Sequence, residues 1–216
     1  MRNSNSLTVI AALAVAIGSV IAVSAQPSAQ KAKNPLDKGD FKVGFPPTER
    51  GKKPMPADLI PAFKEIAASL NSMIALPKDI YLNMDSCGEP NAFYEPAGPQ
   101  IKICYELLEQ YEEEFKSLTK DPKKIDDMVE DTLVQTLFHE LGHCLIDVWE
   151  LPATGREEDA VDQLATVLLL DGSPSGQQSA INAALEFAIA SSNETKNDMP
   201  AISVILADSY FPSFCI

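Results

Sequence analysis

Leu137-Phe138-His139-Glu140-Leu141-Gly142-His143-Cys144-Leu145 is the stretch on which the reading of this chain turns. It holds both histidines of a 216-residue sequence. On an α-helix, residues four apart lie on one face, so both imidazoles can reach one metal ion from the same side. Glu140 lies about 100° further round the helix. It points beside such an ion, where it can take a proton from water. Zn2+ suits the pair because it accepts nitrogen and oxygen ligands and acidifies water. Glu140 then becomes a general base that delivers water to a peptide carbonyl and passes the proton to the leaving amine. Two histidines placed at random fall four apart, with a glutamate directly after the first, in roughly seven of ten thousand arrangements, so the pattern is not accidental.

The flanks make this a core helix. Asp121-Pro122 opens it, with proline suited to the first turn. Val129, Leu133, Leu137, Leu141 and Leu145 give a buried stripe over residues 123–147. Polar imidazoles in such a helix need a partner, and a metal ion is one.

A catalytic zinc usually has three protein ligands, and no histidine remains for the third. Downstream lies Thr154-Gly155-Arg156-Glu157-Glu158-Asp159-Ala160-Val161-Asp162. Thr154 and Glu157 read as a capping box, which gives Glu157 a local task and leaves Glu158 free. Asp162 shares the face of Glu158 and can hydrogen-bond a ligating imidazole. A tight antiparallel return would instead make Asp162 the nearer ligand. Cys144 is a weaker rival, about 100° round from His143.

Outward from this centre, Leu151-Pro152-Ala153 breaks the helix, and further helices are expected over residues 155–170 and 177–192, with a short one near the end. Upstream, Ile60, Phe63, Ile66, Ala67, Leu70, Met73 and Ile74 recur at helical spacing. Residues 80–84, 91–94 and 100–104 read as strands, the last two joined by Pro96-Ala97-Gly98-Pro99, and 105–118 as a Glu-rich surface helix. The fold class is α+β and mostly helical, with a small N-terminal hairpin or sheet and a central histidine-bearing helix.

Residues 1–25 read as a signal peptide: Arg2, an apolar run from Leu7 to Val23, and Val23-Ser24-Ala25 as the cleavage site. Residues 26–56 form a Pro- and Lys-rich, partly disordered lead-in, and 57–216 the domain. The expected localisation is secreted or periplasmic, with no stable membrane insertion after cleavage. In an oxidising compartment four cysteines allow three pairings. Cys87 with Cys104 and Cys144 with Cys215 is the favoured set; buried free thiols are the alternative. A net charge of −14 repels phosphate backbones, so nucleic acid is not an expected partner.

The motif with its later Glu-x-x-x-Asp resembles the glutamate-zincins, the thermolysin-like branch of zinc peptidases. The segment from His139 to Ala165 also resembles an uncharacterised bacterial metallopeptidase family, a likeness that extends from about residue 58 to the end. The resemblance implies a zincin-like domain with His139, His143 and Glu158 as ligands of one Zn2+ and Glu140 as catalytic base. It also implies that Asn91–Tyr94 with Ile101–Ile103 is an edge hairpin pairing with an extended peptide substrate. An ordinary structural hairpin clamped by Cys87 and Cys104 is the simpler alternative. Thermolysin-like enzymes use a further histidine to steady the oxyanion, and this chain has none to spare. Tyr94, Tyr105, Arg156 and Tyr210 can each donate a hydrogen bond, with Tyr94 the first candidate.

Two functions follow. One is an extracytoplasmic zinc peptidase acting on peptides or proteins. The other is a non-catalytic binding or structural module that retains the fold, its acidity suited to basic partners. Hydrolysis of a non-peptide amide lies between them.

Overall fold

The computed structural model describes residues 34–49, 57, 59–170 and 172–194. Four strands, β1 (Phe41–Val43), β2 (Ile80–Asp85), β3 (Ala92–Glu95) and β4 (Gln100–Cys104), form a sheet in the order β1-β2-β4-β3. β1 runs parallel to β2 and β2 to β4, while β3 pairs antiparallel with β4 in the register Ala92 to Ile103. Parallel neighbours need a crossover, and helix α1 (Ile60–Met73) supplies the first one. Its Phe63, Ile66 and Leu70 are buried in the core with Phe41, Ile80 and Leu82.

The helical half follows. α2 (Tyr105–Phe115) leaves β4 directly, then come α3 (Pro122–Trp149), α4 (Glu157–Leu169) and α5 (Pro174–Glu194). The chain is thus α+β and mostly helical, as its periodicity implies. α3 starts where Asp121 accepts the Lys123 N–H at 3.1 Å, with Pro122 in the first turn. It packs against β3 and β4 on one side and against α2, α4 and α5 on others. Of its expected stripe Val129, Leu133, Leu137 and Leu141 are buried and Leu145 is half-buried, and Val134, Phe138 and Cys144 are buried as well. A helix buried on so many sides is a central element, not a half-exposed one.

Three readings need correction. Phe41–Val43 lies in the stretch read as lead-in, yet it forms the edge strand β1. Just beyond, Glu49 crosses the far face of the sheet and accepts a hydrogen bond from the buried Gln100. Gln100 also donates to Glu95 (2.7 Å) and accepts from Asn83 (2.7 Å), so that face is polar and stitched rather than apolar. α2 is not merely a surface helix, because Leu107, Leu108, Tyr111 and Phe115 are buried. The capping box at Thr154 does not form: α4 begins at Glu157, its N-cap is Arg156, and no side chain caps it.

Cys87 and Cys104 form a disulfide that ties the end of β4 to the loop before β3. Glu106 braces the same loop, accepting from Ser86 (2.6 Å), Cys87 N–H (3.1 Å) and Gly88 N–H (3.1 Å). Among the described residues Cys144 is buried without a disulfide partner, and burial pushes its thiol up to about 12. Its expected partner Cys215 lies outside the described residues, as do Tyr210, the signal segment and the short terminal helix. Among the described residues no helix is long and apolar enough to cross a membrane.

Candidate metal centre

Helix α3 ends sharply, and that ending places the site. Glu150 adopts the left-handed conformation (φ 49°, ψ 44°), and the Leu151 N–H reaches back to the Ile146 carbonyl at 2.9 Å. This six-to-one bond closes the helix, and Pro152 follows where a helix cannot resume. Residues 150–156 then return the chain to the start of α4. The two helices approach closely at Gly142: a Cβ there would lie 2.7 Å from the Val161 Cβ. Only glycine allows this packing distance, which carries the first turn of α4 over the histidine face of α3.

Three donors converge there. The His139 and His143 Nε2 atoms are 3.2 Å apart. The Glu158 Oε2 atom lies 3.2 Å from the first and 3.5 Å from the second. Among the described residues, His139, His143 and Glu158 group their ligand atoms within 4.8 Å of one another. Four ligands placed tetrahedrally at the usual zinc bond lengths of about 2.0–2.2 Å are separated by roughly 3.3–3.6 Å, so this donor set has the spacing of three tetrahedral corners.

The remaining ring nitrogens explain the orientation. His139 Nδ1 lies 2.7 Å from Asp162 Oδ1, and His143 Nδ1 lies 2.8 Å from Glu157 Oε1. An ionised carboxylate only accepts, so both Nδ1 atoms carry the proton. Both Nε2 lone pairs then face the carboxylate of Glu158. Three electron pairs pointed at one another are repulsive unless a cation lies between them. Asp162 also raises the proton affinity of His139, against the opposing effect of burial.

Glu140 stands outside this group, as its angle on the helix implies. It is buried, and its Oε2 accepts the Tyr94 N–H at 2.7 Å. Burial pushes its carboxyl up, while the two imidazoles and the Tyr94 amide pull it down, with a net rise. Edge strand β3 thus meets α3 through its backbone. The Tyr94 hydroxyl points elsewhere and donates to Asp147 Oδ2 at 2.7 Å. Burial and that bond hold the phenol well above its ordinary range, so it remains a protonated donor.

A cavity of about 660 Å3 opens over these groups. Asn91, Phe93, Tyr94 and Pro96 form one wall, and Ile146, Asp147, Glu157 and Glu158 complete it around His139, Glu140 and His143. Tyr105 and Arg156, offered as hydrogen-bond donors, do not line it. Cys144 is buried away from the donor set. Glu158, rather than Asp162, brings an oxygen to the side both imidazoles share. Residue patterns missed Glu157 and Asp147. Asp147 follows His143 by four residues and was findable on that spacing alone.

A family model described as "Putative metallopeptidase" matches residues 56–204. The chain belongs to this metallopeptidase family. No curated protein and no solved structure matches it.

Proposed function

We propose that this chain is a zinc peptidase of the glutamate-zincin type that acts outside the cytoplasm. The observation that carries the reading is the tetrahedral spacing of His139 Nε2, His143 Nε2 and Glu158 Oε2, with a buried carboxylate, Glu140, directly beside them. These three residues would hold one Zn2+ and leave a position open. Bound zinc supplies Lewis-acid polarisation of a carbonyl and makes water more acidic.

The chain's own groups do the rest. Asp162 fixes His139 in the tautomer that presents Nε2. Glu140, held by the Tyr94 amide, takes a proton from the attacking water. It returns that proton to the nitrogen as the C–N bond breaks, so one water is consumed and an acid and an amine leave. The outer edge of β3 borders the cavity; its Ala92 and Tyr94 N–H groups are held by Asn91 Oδ1 and Glu140, so the carbonyls of that edge are what would meet an extended peptide. The Tyr94 hydroxyl is a neutral donor on that wall and would serve a developing oxyanion on leaving Asp147. The signal-like first segment and the Cys87–Cys104 disulfide support an oxidising, extracytoplasmic setting.

Cleavage of a fluorogenic peptide library by the purified chain tests the reading. Cleavage should vanish with a chelator and return with zinc. Glu140→Gln should keep its zinc and lose about 10²–10⁴-fold in rate. A zinc-loaded chain that cleaves nothing would instead mark a non-catalytic module.

A further inference from the structure

The two histidines are anchored symmetrically, and the second anchor has no place in the reading above. His143 Nδ1 donates to Glu157 Oε1 at 2.8 Å, the counterpart of the 2.7 Å bond from His139 to Asp162. Glu157 is the first residue of α4, yet its carboxylate is turned to the imidazole and not back to an N-cap. It lines the cavity and sits next to Glu158 in the chain. One short acidic segment therefore does two things: Glu158 faces the metal position, and Glu157 sets the ring that faces it from the other side.

We propose that Glu157 is a positioning residue that holds His143 in its metal-binding tautomer and orientation. The proposal rests on the reading of His139, His143 and Glu158 as a zinc site. An imidazole free to rotate about its bonds to the helix spends only part of its time with Nε2 toward the ion. A carboxylate on Nδ1 removes that freedom and makes Nε2 a stronger donor, which raises metal affinity about 10–100-fold in comparable pairs. Two such pairs on α4, one for each histidine, mean that docking this single helix pre-arranges the whole donor set before metal arrives.

The test is the zinc dissociation constant of the full chain, measured by competition with a chromophoric chelator and so independent of any activity. Glu157→Ala should bind zinc roughly 10–100-fold more weakly than the parent. Glu157→Gln, which keeps an oxygen to accept from Nδ1, should recover most of that loss. The thermal midpoint of both metal-free variants should match the metal-free parent, because the side chain is half exposed. Glu157→Ala binding as tightly as a zinc-binding parent overturns the proposal and leaves the zinc site standing. Glu157→Gln losing as much as Glu157→Ala also overturns it, since charge and not placement of the ring would then be the cause. A parent that binds no zinc overturns both.

Discussion

Glu130 and Glu140 lie on the same helix, and each is 7% exposed. They share a residue type and a burial, yet their surroundings oppose each other. Around Glu130 stand Asp126, Asp127 and Asp131, so burial and like charge together push its carboxyl up to about 8. Around Glu140 stand His139, His143 and the Tyr94 amide, which resist the same desolvation. Burial among like charges therefore makes a protonated structural group, and burial beside imidazoles and an amide donor makes a carboxyl suited to proton transfer. One end of α3 is packing, and the other carries the proposed chemistry.

Exchanging both residues breaks the comparison most directly. Glu140→Gln should lower peptide cleavage about 10²–10⁴-fold with little change in thermal midpoint. Glu130→Gln should leave cleavage unchanged. If the two variants lose activity equally, the contrast between the ends of α3 is false.

Gly142 ties the chemical end to its partner helix. Gly142→Ala drives a Cβ into Val161 and should cost about 1–3 kcal/mol. Because relief of that clash moves α4 outward, zinc binding should weaken as well. Chemical denaturation and chelator competition on one sample measure both effects. An alanine variant of parent stability and affinity would show that the close approach does not set the site.

Glu130 makes the packing end sensitive to pH. Its folded pKa is raised from an ordinary 4.5 to about 8, so the folded chain binds more protons than the unfolded chain between these values. Stability is then complete below the unfolded value, falls as pH rises through this window, and levels off above it. Glu186 is raised to about 8 in the same sense, beside Glu114. Glu130→Gln should flatten this slope and gain at least ~1 kcal/mol at pH 9, since a tenfold change in proton affinity corresponds to about 1.4 kcal/mol. Denaturation curves at pH 5, 7 and 9 check it, and an unchanged slope counts against the assignment.

The smallest effect concerns the turn between the two helices. Glu150 holds a left-handed conformation that glycine adopts without penalty. Glu150→Gly should raise stability by up to about 1 kcal/mol, read as a higher thermal midpoint, with the site unaltered.

What the sequence discloses here follows from range. His139, Glu140 and His143 are legible because four-residue spacing on a helix is a local fact. β4 over Gln100–Cys104 and the core stripe of α3 are legible for the same reason. Strand β1 is not, because Phe41 and Val43 alternate about Lys42 over only three residues, too short a run to read, and the segment becomes a strand by lying along β2. Glu157 obeys a local capping rule with Thr154 on paper, but the loop set by Glu150 starts the helix later and gives the carboxylate to His143. Gly142 did carry a signal. A glycine inside a helix costs about 1 kcal/mol against alanine, so its place inside the motif pointed to a close approach whose partner the sequence could not name.

The central claim is that two imidazoles of α3 and one carboxylate of α4 hold a single zinc ion. X-ray absorption at the zinc edge of the purified chain, with metal content measured on the same sample, tests it most directly. One zinc per chain, bound by nitrogen and oxygen at about 2.0–2.2 Å with no sulfur, and lost in Glu158→Ala, is the predicted result. A sulfur ligand at about 2.3 Å, or full zinc content in Glu158→Ala, would contradict it.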